Sequence, residues 1–176
     1  TVDDKQLSNS KKKKRYGFLF RFLIRTVVFI LVVILLLTFV FRLFRMTGNT
    51  MSPFVRDGDF CVFYRLENIY TNDVVLYEDE NGTLHVGRIV ASGGQTVDFP
   101  EVGGYEVNEY QTTEEVPYET YAAEKGIVSY PLELKEDEYF LLNDFRKMTS
   151  DSRQYGAIKR EQIKGKLLFM MRRRNF

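Results

Sequence analysis

Cysteine and histidine each occur once in this chain of 176 residues, as Cys61 and His85. A single cysteine excludes an intramolecular disulfide, and the lack of a Cys/His cluster argues against a structural or catalytic zinc site. No metal and no cofactor is therefore expected. Cys61 lies in Phe60-Cys61-Val62-Phe63, a strand-like run, and reads as a small buried hydrophobe. Internal repeats are absent. Positive charge is scarce beyond the N-terminal segment: residues 46–176 hold fifteen Lys or Arg against twenty-two Asp or Glu, a net of −7. Binding to phosphate needs a concentrated positive face, so nucleic acid is not expected as a partner of this part.

Long apolar runs are also missing, with one exception. Thr26 to Phe41 is a stretch of sixteen residues without a charge. As a helix it would cover roughly 24 Å, against a hydrocarbon core about 30 Å thick. Phe22, Leu23 and Ile24 before it and Leu43 and Phe44 after it close the gap, and Arg21, Arg25, Arg42 and Arg45 can reach the headgroups. The run Arg42-Leu-Phe-Arg-Met lacks the small residues of a signal cleavage site, so an uncleaved transmembrane anchor over residues 22–45 is expected. Lys11 to Lys14, Arg15, Arg21 and Arg25 precede the run and only Arg42 and Arg45 closely follow it. This bias predicts a cytoplasmic basic tail over residues 1–21, a single pass through the cell membrane, and an extracytoplasmic domain over residues 46–176.

That domain reads as mainly β. Candidate strands are Asp59–Arg65, Val74–Glu80, Thr83–Ser92, Thr96–Phe99, Tyr105–Val107, Tyr139–Asn143 and Ile163–Met170. Glu80-Asn81-Gly82-Thr83 predicts a hairpin with a type I′ turn. Short strands with frequent turns suggest antiparallel or mixed sheets in a barrel-like arrangement. Residues 100–138 differ, with eleven acidic side chains against Lys125 and Lys135. They read as an inserted, exposed acidic flap with one helical turn near Tyr118–Lys125.

Three segments carry a resemblance. The first is Gly48-Asn49-Thr50-Met51-Ser52-Pro53, followed by Asp57-Gly58-Asp59. The second runs from His85 through Gly87-Arg88-Ile89 to Val97. The third is Asn143-Asp144-Phe145-Arg146-Lys147-Met148-Thr149-Ser150-Asp151-Ser152-Arg153-Gln154-Tyr155-Gly156. In this order, behind one anchor and before Ile163-Lys164-Gly165-Lys166, they resemble type I signal peptidase, whose patterns are G-x-S-M-x-P, K-R-I and G-D-N-R-x-x-S-x-D-S-R-x-x-G. The resemblance implies a signal-peptidase-like β-domain behind a transmembrane helix. It covers nearly all of residues 46–176 except the acidic insertion.

Family members cleave secreted precursors with a serine nucleophile and a neutral lysine base. A hydroxyl is a weak nucleophile until a base takes its proton, and a lysine serves only if desolvation lowers its pKa. The serine position is Thr50 here and the lysine position is Gly87. Loss of a general base forfeits roughly 10²–10⁴-fold in rate, so no catalytic residue is expected. The surrounding frame is kept. The resemblance makes Thr50 and Thr149 the hydroxyls of a former oxyanion hole and assigns site-shaping roles to Arg88, Asp144, Arg146, Asp151 and Arg153. In the third segment Asn143 stands where the family has Gly, and Phe145 where it has Asn.

A kept frame without the pair is similar to the signal-peptidase-like pilus assembly proteins of Gram-positive cocci. The expected partners are then pilin subunits or other secreted precursors, with sortase nearby. The groove would lie along His85, Val86, Gly87 and Ile89, with Gly87 leaving room for a bound backbone. The alternative is an active but atypical peptidase. Thr50 lies five residues past Arg45, at most roughly 17 Å of extended chain, so Met51, Phe54 and Val55 are expected to touch membrane lipid.

Overall fold

The computed structural model describes residues 2–112 and 117–172. It divides at Val40 into two compact units. The first is helix α1, Val2–Val40. Its segment Leu19–Val40 is long and apolar enough to cross a membrane, with a mean hydropathy of 3.0. The basic tail is helical too, in keeping with the good helix propensity of lysine.

The anchor was expected to run to residue 45, but the helix stops at Val40 and Phe41–Arg45 is a strand, β1. Tertiary pairing decides this. β1 lies antiparallel to β2 (Phe60–Tyr64) over all five residues. Its aromatic side chains meet Tyr64, 5.5 Å from Phe41, and Phe63, 6.4 Å from Phe44. Phe and Tyr suit a pleated, half-buried surface, and a ready partner strand outweighs the pull of the preceding helix.

The second unit is mostly β. After β2 come β3 (Val74–Glu78), β4 (Leu84–Ser92), β5 (Thr96–Asp98), β6 (Glu106–Val107), β7 (Tyr110–Gln111), β8 (Leu132–Glu133) and β9 (Glu138–Leu142). Helix α2 (Ser152–Tyr155), β10 (Ile158–Lys159), a 3₁₀ turn at Arg160–Gln162 and β11 (Ile163–Met171) complete it. Seven strands form an antiparallel sheet that curls as a half-barrel, in the order β1-β2-β11-β3-β4-β9-β10. Its centre is covered on both faces. Val74, Leu76 and Val86 pack with Met46, Met51, Val55, Cys61 and Phe63 on one side. Val75, Tyr77 and Ile89 pack with Leu141, Ile158 and Ile163 on the other. A strand covered on both faces reads as a continuous apolar run, which is what Val74-Val75-Leu76-Tyr77 is. Burial, helped by Asp59, pushes the Cys61 thiol up to about 11, as suits an inert core residue.

The β3–β4 hairpin is present, but its turn is not type I′. Only Gly82 of the Asn-Gly pair has positive φ, at 81°. The Gly82 N–H donates to the Asp79 carbonyl, which makes a three-residue loop with the glycine in the left-handed region. The Asp79 carboxylate accepts from the Asn81 and Thr83 N–H groups and so selects this loop.

The expected acidic flap is also corrected. A second, four-stranded sheet, β7-β6-β5-β8, occupies much of it. Val97, Tyr105 and Leu134 share a core cluster with Val90, Ala91, Phe140 and Leu142 of β4 and β9. Tyr118–Lys125 holds no helical turn. The Thr120 carbonyl accepts from the Gly104 N–H and the Tyr121 carbonyl from Arg153 Nη1, so distant partners replace the intrahelical ones. Residues 113–116, in the middle of the expected insertion, lie outside the described residues.

Candidate active-site region

The turn that carries Thr50 is built by its own polar neighbours. The Gly48 N–H donates to Asp57 Oδ1 at 2.8 Å and the Asp57 N–H to Asn49 Oδ1 at 3.3 Å. The Val55 N–H closes a further turn on the Met51 carbonyl. This points Met51 and Val55 inward, where both are 0% exposed. Neither can touch lipid, which corrects that expectation, while Phe54 between them remains 43% exposed.

Two contacts tie this turn to the other motifs. The Phe145 N–H donates to the Thr50 carbonyl at 2.9 Å. The Phe54 ring lies 5.1 Å from the Arg88 guanidinium. Arg88 in turn holds Asp144 with two parallel bonds, Nε to Oδ1 at 2.8 Å and Nη2 to Oδ2 at 2.7 Å, and donates from Nη1 to the Asn72 carbonyl. First, second and third motifs therefore meet at one place.

The third motif is a loop organised by buried charge. Asp151 caps α2 and holds Arg153, Oδ1 from Nε at 2.9 Å and Oδ2 from Nη2 at 2.7 Å. Both side chains are 0% exposed. The remaining Arg153 donors reach the carbonyls of Tyr121, Arg146 and Met148. The Asn143 N–H donates to Asp151 Oδ2, and its side-chain amide donates to the Met148 and Ser150 carbonyls. Asn143 thus stitches the loop. Arg146 is buried and donates to the Asn143 carbonyl. Phe145 packs edge-on against Tyr118 at 4.9 Å.

Thr50 and Thr149 are both half-buried, but no hydrogen bond joins them. Thr149 instead lines a cleft of about 860 Å³ with Tyr118, Tyr121, Lys125, Lys147 and Gln154. Gly87 does not open toward a ligand. A Cβ there would sit 3.2 Å from the Tyr77 ring and 3.4 Å from Leu141, so protein side chains take the space beside it. His85 lies on the same face, stacked on Tyr77, with Nε2 3.0 Å from Asp79 Oδ2. Its ring is engaged at the hairpin.

Part of the edge of β4 has no described strand beside it. The Ile89 N–H donates to the Asp73 carbonyl and its own carbonyl accepts from Asn72, so Ile89 bonds toward β3. Strand alternation turns the backbone N–H and C=O groups of Gly87 and His85 the same way and those of Val86 and Leu84 away from β3, while the Val86 residue itself is buried, 3% exposed. β9 meets β4 only from Arg88 onward, opposite Leu142. Leu84 and Val86 therefore have no strand partner on that side among the described residues. Ile89 is paired with both neighbours, so it drops out of the expected groove.

These features invite comparison with known proteins. The family profile described as signal peptidase, peptidase S26, matches residues 19–172. The chain belongs to the signal peptidase family. It is 22% identical over 175 residues to a signal peptidase I of Bacillus licheniformis, covering 93% of this chain and 94% of the relative. It is 26% identical over 161 residues to an inactive signal peptidase IA of Staphylococcus aureus, covering 84% and 88%. A solved signal peptidase I of Enterococcus faecalis V583 matches with a TM-score of 0.49 at 22% identity, covering 57% of this chain and 97% of that one.

Tyr118, Tyr121 and Gly126 are the parts of this region that sequence reasoning missed. They fall in the segment read as a loose flap. The one local signal was the Lys125-Gly126 step, because a glycine inside a segment that is not otherwise turn-like can mark close backbone approach.

Proposed function

We propose that this chain is a non-cleaving member of the signal peptidase family that binds secreted polypeptides, pilin subunits first, as a chaperone-like pilus assembly factor. The N-terminus is cytoplasmic, the helix spans the cell membrane once, and the β-domain works outside, alongside sortase. The observation that carries this reading is the stretch of β4 at Leu84 and Val86 that no strand among the described residues pairs, on the strand that has Gly87 in place of the family lysine. Strand addition supplies main-chain hydrogen bonds without any catalytic side chain.

The test leaves the protein untouched. A peptide from a pilin precursor is N-methylated at one backbone nitrogen at a time. Affinity should fall at every second position, because an added strand bonds through alternate residues. Uniform tolerance to methylation overturns strand addition. In parallel, the full chain in liposomes should leave a secretory precursor intact. Cleavage that vanishes in Thr50→Ala would favour the atypical active peptidase, a reading supported by the Thr50 hydroxyl and the Bacillus licheniformis relative.

Lipid contact belongs on the outer face of β1, β2 and β11. The pairings place Leu43, Phe60, Phe169 and Met171 on one side of the sheet, each about half exposed or more. Arg45 lies over the Phe60 ring and can meet headgroups.

A further inference from the structure

The cleft at Thr149 has one wall that no family motif accounts for. Residues of the stretch 117–125 form it, facing residues of 146–154. Three hydrogen bonds seat this wall. The Thr120 carbonyl accepts from Gly104, the Tyr121 carbonyl from Arg153, and the Gln154 carbonyl from Ile127. At Gly126 the two walls touch: a Cβ there would lie 2.3 Å from the Arg153 carbonyl oxygen, so only glycine lets them approach this closely. The opening is thus preformed, and its volume lies in the range of about 300–1,000 Å³ usual for ligand pockets.

Its position links it to the candidate binding edge. Phe145 bonds the Thr50 carbonyl on one side and packs on Tyr118 on the other, so the cleft begins one residue's width from Thr50. Its lining is mixed. The rings of Tyr118 and Tyr121 and the small Ala122 and Ala123 stand among Glu119, Glu124, Lys125 and Lys147. A lining of apolar surface with charges of both signs suits a polypeptide segment of mixed sequence rather than a small ion.

We infer that this cleft is a second subsite for the bound polypeptide, taking the stretch that runs on past Thr50, so that the insertion and the strand edge form one continuous channel. The inference rests on the strand-addition reading above and adds to it a preference for the mature stretch adjoining the signal segment.

Two labelled peptides from one pilin precursor test it on the full chain in nanodiscs. The short one ends at the junction of signal and mature parts, and the long one continues into the mature part. The long peptide should bind about tenfold more tightly. Ala122→Trp, at an exposed position, should erase that advantage, with the short peptide as internal control. A benzophenone side chain in the mature stretch should crosslink to residues 117–125 or 146–154. Equal affinity of the two peptides, or crosslinks elsewhere, overturns the subsite and leaves strand addition standing. Failure of both peptides to bind overturns strand addition and the subsite with it.

Discussion

Two arginine–aspartate pairs hold the candidate site, and they do different work. Arg88–Asp144 joins a strand to a loop, with Asp144 buried and the Arg88 side chain still 23% exposed beneath Phe54. Arg153–Asp151 lies within the third motif, at the start of α2, and Arg153 Nη1 reaches out to the insertion wall at Tyr121. Both are bidentate, which favours arginine over lysine at each position. One pair thus positions the Thr50 turn and the other positions the cleft. Burial makes each expensive to break, because the aspartate left behind cannot be solvated.

The largest effect is expected from Arg153→Ala. It strands the Asp151 carboxylate and removes one donor from each of the carbonyls of Tyr121, Arg146 and Met148, and should cost about 3–5 kcal/mol in urea unfolding of the full chain. Arg88→Ala should cost less, about 2–3 kcal/mol, because water reaches that guanidinium. Its signature should be a fall in affinity for the short peptide out of proportion to the loss of stability. Equal costs for the two variants would show that the pairs are interchangeable struts.

A smaller effect concerns position 87. Gly87→Lys must push the Tyr77 ring and Leu141 aside and should cost about 1–3 kcal/mol by overpacking. Combined with Thr50→Ser it should still leave a precursor intact, read by gel over hours. Efficient cleavage would mean that Tyr77 yields readily and that the frame around both pairs remains competent.

The smallest effect separates core from surface chemistry. Cys61, with its thiol pushed up to about 11, should resist alkylation at pH 8 until the domain unfolds. Asp79, held below the usual carboxylate range chiefly by the His85 bond, stabilises its hairpin above the unfolded carboxylate pKa of about 3.9 and loses that contribution as pH falls. His85→Ala should let Asp79 titrate closer to the ordinary value, read by NMR.

Much of this was legible in the residues. The apolar run at residues 26–41 pointed to a helix, which holds as far as Val40, because an unbroken apolar run of this length suits a membrane span. The strand runs around Cys61, Val75, Val86, Phe140 and Leu167 were readable because β-branched and aromatic residues between turns have few other uses. The third motif announced a site through its resemblance to the family pattern, while the burial and pairing of Asp151 and Arg153 came from the fold. What sequence could not supply was partnership. Whether Phe41–Arg45 continued the helix or joined a sheet depended on β2 lying alongside. Whether Met51 and Val55 faced lipid or core depended on a turn closed by Asp57 and Asn49. Whether Gly87 left an opening depended on the Tyr77 ring opposite it. The acidic segment looked like a solvated loop because its charges are local, while the bonds that seat it on the rest of the domain include those from Arg153 and Gln154. Local chemistry is set by neighbours in the chain, and a groove or a wall is set by neighbours in space, which only the tertiary fold assigns.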